Sequence, residues 1–189
     1  MPIILFLGRT VKEYEEKSAE ITERHLSDGD ILCELCLRPM AVHSSYVRGI
    51  KETGARITIK VVWCRKCREW HALLPDFLLP RKHYSGNEIE SAVIDSATET
   101  MKLIDKTASE STVRRWAVEI SESIKRAVGI LKYLFGRDGH AVNEVAIDAG
   151  TPYDELEQVL EMAQWVKCSG NKLGLANIWL RTGMVTAYI

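Results

Sequence analysis

The sequence predicts an α+β protein. A small N-terminal zinc ribbon, made of a β-hairpin with two Cys-x-x-Cys knuckles, precedes a mainly α-helical region with a helix-turn-helix and a helical tail. Two Cys-x-x-Cys pairs around a strand-like alternation predict the ribbon. An apolar stripe at helical spacing after Val113 predicts the helices. The expected units are 1–83 (lead-in and ribbon, with the ribbon at 33–83), 84–137 (helix-turn-helix with a long recognition helix) and 138–189 (helical C-terminal region).

The composition is that of a soluble globular protein. Of the 189 residues, 46% are hydrophobic and 27% are charged, which excludes a disordered or membrane-embedded class. The apolar segment Met1–Leu7 is too short to span a bilayer and lacks the basic flank of a signal peptide. We expect a strand at residues 3–7 and a cytoplasmic location.

A charged lead-in precedes the ribbon. Val11–His25 is expected to form a short helix or an extended segment, with Tyr14 and Ile21 as its apolar anchors. A turn cluster at residues 27–30 then brings the chain to the first cysteine pair.

A β-hairpin is expected between the cysteine pairs. Every second residue from Ile57 to Trp63 is apolar, in a segment that ends at Cys64, and this is the pattern of a half-buried strand. The segment Ala41–Arg48 is its expected partner, with the turn at Lys51–Gly54.

The two pairs predict one structural Zn²⁺, bound by Cys33, Cys36, Cys64 and Cys67. Zinc prefers a tetrahedron of thiolates, and a Cys-x-x-Cys turn directs two sulfurs at one ion. Four protein ligands leave no coordination position for water or substrate, so we expect a structural metal and no enzyme.

Disulfides are the alternative use of these cysteines. The odd total of five cysteines and the lack of a signal peptide favour a reducing compartment and a metal site. His43 and His71 are close enough in sequence to replace a thiolate or to lie around the site as polar residues. Cys168 has no ligand cluster near it and is expected to be buried and inert.

Short helices and then a long one are expected after the ribbon. Pro75 and Pro80 prevent a continuous helix in residues 71–85, which we expect to be a packed connection. Short helical segments are expected at 87–98 and 101–104, with a break at 107–109. A helix of about 25 residues then begins at Ser109 or Glu110. Its apolar stripe consists of Val113, Trp116, Ile120, Ile124, Val128, Leu131 and Phe135.

Three further helices are expected in the tail. The first lies at about 140–149. Thr151 can cap the second, which has Pro152 as its first residue and runs to about Lys167. Leu175–Leu180 is expected to form the last, anchored by Trp179.

Two short helices, a turn and a capped helix form the pattern of a helix-turn-helix. Val113 and Trp116 would face inward in that geometry. The side chains expected to contact DNA are therefore Ser111, Thr112 and Arg115 at base edges and Arg114 at a phosphate. The alternative is that these polar residues form the solvent face of an ordinary bundle helix.

Positive charge is segregated along the chain although the net charge is −1. Residues 33–83 contain ten basic and four acidic residues, and residues 111–137 contain six and two. Two basic blocks between acidic segments favour a phosphate backbone as partner. Lys60, Arg65 and Lys66 are the expected DNA contacts from the ribbon, and a solvated surface is the alternative.

These motifs together resemble a bacterial family of unassigned function that looks related to transposase DNA-binding regions. They are Cys33-x-x-Cys36, His43-x-x-Tyr46-x-Arg48, Cys64-x-x-Cys67, His71-x-x-Leu74-Pro75-Asp76-Phe77-Leu78-x-Pro80, Ser111–Trp116 and Trp179-x-x-Thr182. The ribbon is also similar to the N-terminal zinc finger of certain insertion-sequence transposases. The resemblance implies a zinc-stabilised DNA-binding protein related to mobile elements. The chain has no segment with the length or acidic pattern of an Asp-Asp-Glu catalytic domain, so the resemblance implies no transposition chemistry.

Three functions compete at this point. The first is a non-enzymatic, sequence-specific binder of double-stranded DNA, acting as a site-recognition module or repressor. The second is an adaptor whose ribbon and acidic tail bind a transposase, another recombinase or a polymerase. A zinc deaminase is disfavoured because neither cysteine pair is preceded by proline. No membrane partner is expected, and the stripe from Val113 to Phe135 suits either intramolecular packing or a homodimer.

Overall fold

The computed structural model describes residues 2–97, 107–137, 150–162 and 171–182. Within them, a four-stranded sheet and five helices confirm the predicted α+β class. No helix in these ranges is both long and apolar enough to cross a bilayer. The elements are β1 (Ile3–Leu5), α1 (Val11–Ser27), β2 (Ala41–Gly49), β3 (Arg56–Cys64), β4 (Glu69–Pro75), α2 (Gly86–Ala97), α3 (Glu110–Arg137), α4 (Pro152–Met162) and α5 (Lys172–Thr182).

The sheet has the strand order β1-β4-β3-β2. The predicted hairpin is confirmed, since β2 and β3 pair antiparallel from Ala41 opposite Trp63 to Gly49 opposite Arg56. Strand β4 was not predicted, because residues 71–85 were expected to form a packed connection. Strand β4 continues the antiparallel pairing from β3, and β1 pairs with it in parallel, with Ile3 opposite Leu73.

Strand β3 changes its buried side along its length. Ile57 and Ile59 are buried in its first half, whereas Val62 and Cys64 are buried in its second half. Successive side chains of a strand point to opposite faces, so these two pairs lie on opposite faces. A bulge between Val42 and Ser44 of β2 lies opposite the point of change.

The lead-in forms a helix and not an extended segment. Thr10 caps α1 by accepting a hydrogen bond from the Glu13 N–H at 3.2 Å. Tyr14 is buried and donates to the carbonyl of Thr58 at 2.7 Å, which ties α1 to β3. One hydrophobic cluster unites β1, α1 and the ribbon strands.

A second cluster holds the helices together. All seven residues of the predicted α3 stripe are buried, and α2, α4 and α5 pack around them. Thr151 caps α4 in a reciprocal pair of hydrogen bonds with Asp154, as predicted. The expected helices at 101–104 and 140–149, residues 163–167, Cys168 and the side chain of Trp179 lie outside the described part of the chain.

The two clusters meet where α5 begins. The Asn171 side chain donates to the Asp76 carbonyl at 3.1 Å and accepts from the Gly174 N–H at 2.6 Å. A Cβ at Gly174 would lie 2.8 Å from the Asp76 carbonyl carbon and closer still to its oxygen, so only glycine fits there. Glu90 of α2 completes the start of α5 by accepting from the Lys172 N–H at 2.9 Å.

Candidate metal centre and adjoining surface

The two Cys-x-x-Cys segments form knuckles of the same shape. In the first, the Leu37 N–H donates to the Cys33 carbonyl at 2.8 Å, and in the second, the Arg68 N–H donates to the Cys64 carbonyl at 2.8 Å. Leu37 and Arg68 have φ angles of 55° and 58°, the left-handed region that favours glycine. This tight turn brings the two sulfurs of each pair to the same side.

The four sulfurs lie within 4.8 Å of one another and could hold a metal ion. A tetrahedron with zinc–sulfur distances of about 2.3 Å has edges of about 3.8 Å. The Sγ atoms of Cys36 and Cys64 are 3.5 Å apart, which fits such an edge and is far too long for a disulfide. All four cysteines are free thiols, so the disulfide alternative is not adopted here.

The electrostatics of the cluster also suit a cation. The backbone N–H of Cys67 donates to the Cys64 sulfur at 3.4 Å and lowers the pKa of Cys64 to about 7. The neighbouring Cys36 sulfur raises the pKa of Cys67 to about 12, and burial raises that of Cys33. The raised pKa values of Cys33 and Cys67 disfavour ionisation of these two thiols beside the other sulfurs, and a divalent cation would offset the charge of four thiolates.

Neither histidine belongs to the cysteine cluster. Among the described residues, the group whose ligand atoms converge contains Cys33, Cys36, Cys64 and Cys67 alone. His71 is buried on the sheet, opposite Val62. His43 lies at the β2 bulge and packs edge-on against Trp70, with ring centroids 4.2 Å apart. Of the two roles left open for these histidines, the structure excludes that of a thiolate substitute.

An aromatic cluster lies on the sheet beside the second knuckle. Trp63 and Trp70 are cross-strand neighbours whose rings stack at 5.3 Å with an interplanar angle of 13°. The His43 ring contacts both edge-on. Trp70 is still 46% exposed, so part of the cluster remains accessible to solvent.

A groove of about 530 Å³ extends from Trp70 across the same face of the sheet. Tyr46 and Arg48 of β2 form one wall, and the loop at residues 80–83 forms the rim. Arg48 fixes this loop because its guanidinium donates to the carbonyls of Leu79, at 2.8 Å, and Lys82. Of the described residues that line the groove, none is acidic.

The basic residues predicted on the ribbon lie in two places. Arg65 and Lys66 are exposed on the second knuckle, where they line a hollow of about 360 Å³ together with Arg38 and Trp63. Lys60 is half-buried in the middle of β3.

The predicted DNA-contacting residues of the helix lie in the first two turns of α3. Ser111, Arg114 and Arg115 are exposed, and Thr112 is half-buried. Arg114 forms an ion pair with Glu110 one turn earlier. The hydroxyls of Ser111 and Thr112 lie 3.2 Å and 2.9 Å from that of Ser109.

The loop at the groove rim also touches α3. The Lys82 ammonium forms an ion pair at 2.7 Å with Glu119, which lies one turn after Arg115. Neither this link nor the groove was predicted, because the ion pair joins residues far apart in the sequence and the groove depends on β4. The signal was Trp70, Ala72 and Leu74, which alternate on one face once β4 is recognised as a strand.

Residues 33–116 match the model of a family described as Domain of unknown function (DUF6431). The match begins at the first cysteine of the candidate metal centre and ends at Trp116, so it includes the ribbon, α2 and the first two turns of α3. This agrees with part of the expected resemblance, and the description makes no reference to transposases. No curated protein and no solved structure matches the chain.

Proposed function

We propose that the chain is a zinc-stabilised, sequence-specific DNA-binding protein in which the start of α3 enters the major groove of a duplex, in the manner of a recognition helix. The observation that carries the proposal is the orientation of the first two turns of α3. Val113 and Trp116 are buried in the helical cluster, whereas Ser111, Arg114 and Arg115 are exposed on the opposite side. Exposed arginine and serine on a rigid helix are suited to base edges and phosphates.

The positive charge around this helix supports the same partner. Lys82 neutralises Glu119, so that Arg115 is not opposed by a free carboxylate one turn away. Arg65 and Lys66 add exposed positive charge on the ribbon. Phosphate contacts by such residues supply affinity and register, while base contacts supply specificity.

Zinc is the proposed metal, and its proposed role is structural. Four sulfur ligands at tetrahedral spacing favour zinc over the oxygen-seeking cations. A closed shell of four thiolates also accounts for a non-enzymatic function. We place the protein in the cytoplasm, where thiols stay reduced, as a site-recognition module or repressor of a mobile element.

Duplex binding by single-arginine variants tests the proposal. A preferred site is first selected from random duplexes, and affinities are then measured by fluorescence anisotropy at several salt concentrations. Arg115→Ala should weaken binding to that site by roughly 5- to 150-fold and relax its sequence preference, because a bidentate base contact carries about 1–3 kcal/mol. Arg114→Ala should weaken all duplexes similarly and lower the salt slope by about one.

Arg126→Ala is the matched control, since Arg126 is an exposed arginine later on the same helix. It should leave the affinity for the selected site unchanged. If the Arg114 and Arg115 variants bind every duplex as tightly as the parent protein does, α3 is not a recognition helix.

An adaptor function is the second candidate, and β2 favours it. This strand is exposed over most of its nine residues and lies at the edge of the sheet. An edge strand offers unpaired backbone groups that can pair with a strand of another protein, such as a recombinase. Binding of that kind should persist at high salt, whereas binding to DNA phosphates should weaken steeply.

A further inference from the structure

We propose that the groove beside Trp70 binds an unpaired nucleotide of a single-stranded nucleic acid, with the base against the rings of Trp70 and Tyr46 and the phosphate at Arg81 and His83. The inference rests on the proposed function only in taking nucleic acid as the partner. The site itself is separate from the start of α3.

The groove offers exposed aromatic rings to a base. Trp70 and Tyr46 lie on one face of the sheet and are 46% and 42% exposed. The Trp63 ring stacks on one face of the Trp70 ring, and the His43 ring packs perpendicular to it, so the orientation of Trp70 is fixed before a ligand arrives. A fixed, half-exposed indole is the platform that single-strand binders use for base stacking.

The basic residues around the groove suit a phosphate. Arg48 is half-buried, and its guanidinium donates to two backbone carbonyls, which carry no net charge. Arg81 and His83 are exposed at the rim, and the described lining contains no carboxylate. The groove therefore combines an apolar floor with a positive rim, which matches a base attached to a phosphate.

The size of the groove and the access to Trp70 select an unpaired nucleotide. A groove of about 530 Å³ is within the range of small-ligand sites and has room for one nucleotide. In a duplex the base faces are stacked on their neighbours, so only an unpaired base can lie flat against Trp70. This selects a single strand, or the single-stranded end of a duplex, as the ligand.

The groove and the helix lie next to each other. Lys82 joins the rim to Glu119 of α3, one turn from Arg115. A duplex held by α3 could therefore place an unpaired end into the groove.

The test measures binding of a fluorescein-labelled oligothymidine of ten nucleotides by anisotropy at low salt. Trp70→Ala should weaken binding roughly 5- to 150-fold, which corresponds to the loss of one stacked base. Trp70→Phe should retain most of the affinity, because phenylalanine keeps a stacking face. The matched control is Tyr133→Ala, which removes an aromatic ring that is 71% exposed on α3 and should change nothing.

A charge reversal at the rim keeps the test valid if Trp70→Ala fails to fold. Arg81→Glu should weaken oligothymidine binding more than Arg56→Glu, because Arg56 is an exposed arginine on the opposite face of the sheet. Equal effects of these two reversals would show a general charge effect and would overturn the site. The proposal also fails if the parent protein does not bind oligothymidine at all.

The same variants separate this inference from the proposed function. Suppose that Arg115→Ala loses binding to blunt duplexes while Trp70→Ala still binds oligothymidine as the parent protein does. This result overturns the groove site and leaves the recognition helix in place. Suppose instead that the parent protein does not bind blunt duplexes and that Trp70→Ala loses binding to oligothymidine. This result supports the groove and overturns the recognition helix.

Discussion

In each knuckle, the residue that follows the second cysteine adopts a left-handed backbone without being glycine. These residues are Leu37 and Arg68, and both side chains are exposed. A left-handed conformation costs a non-glycine residue roughly 1–2 kcal/mol. The knuckles therefore hold backbone strain that the rest of the fold, and a metal ion when one is bound, must offset.

We expect Leu37→Gly and Arg68→Gly each to raise the free energy of unfolding of the metal-loaded protein. The gain should be about 0.5–1 kcal/mol, because relief of the strain exceeds the entropy that glycine loses on folding. Leu35→Gly is the control, since Leu35 is also exposed but has no positive φ. That change should destabilise the protein. Urea unfolding measures the free energy of unfolding of all three variants. An equal decrease of that free energy in the three variants would contradict strain at Leu37 and Arg68.

The residues of the candidate metal centre and of the groove differed in how far the sequence could predict them. The cysteines were predictable because metal ligands have a characteristic spacing. The role of Arg48 was not predictable, because its guanidinium donates to the backbone carbonyls of Leu79 and Lys82. Every residue has a carbonyl, so nothing in the sequence marks those two as partners.

At the scale of elements, the hairpin was predictable and β4 was not. The alternation from Ile57 to Trp63 gave β3 the pattern of a half-buried strand. The end of β4, Leu73-Leu74-Pro75, is buried without alternation, and the register pairs it with β1, whereas Glu69–Ala72 pair with β3. Its parallel pairing with β1 joins segments far apart in the sequence, and no local pattern indicates that contact.

The ribbon should depend on its metal more than the helices do. We expect a strong chelator to increase amide hydrogen exchange in β2, β3 and both knuckles, while α3 and α4 stay protected, because the helical cluster contains no metal ligand. Cys64→Ala should have the same effect and abolish stoichiometric binding of one zinc per chain. Cys168→Ala is the control and should bind zinc normally. Uniform loss of protection along the chain would contradict this independence.

At the scale of the whole molecule, the sheet and the helices are joined where α5 passes close to the Asp76 carbonyl. Gly174 permits that approach, whereas a Cβ at Gly129 in α3 would meet no atom within 4 Å beyond its chain neighbours and the adjacent backbone of its own helix. The two glycines are both helical, so helix propensity alone predicts that alanine would be favourable at either position.

We expect Gly174→Ala and Gly129→Ala to have opposite effects on stability. Gly174→Ala should lower the free energy of unfolding by about 1–3 kcal/mol or more, because the new methyl group meets backbone that cannot move freely. Gly129→Ala should raise it by about 0.5–1 kcal/mol through helix propensity. Thermal and urea unfolding measure both. A stabilising Gly174→Ala would show that the two halves of the molecule do not pack as described.

Chain synthesis completes the sheet before the Glu90 carboxylate can contact the start of α5. The ribosome adds about 5–20 residues per second. All four strands have been made once Pro75 is added, whereas the Lys172 N–H that Glu90 accepts from is added almost a hundred residues later, after roughly 5–20 s. The four cysteines of the nascent sheet could therefore bind a metal ion while the helical cluster still lacks its last helix.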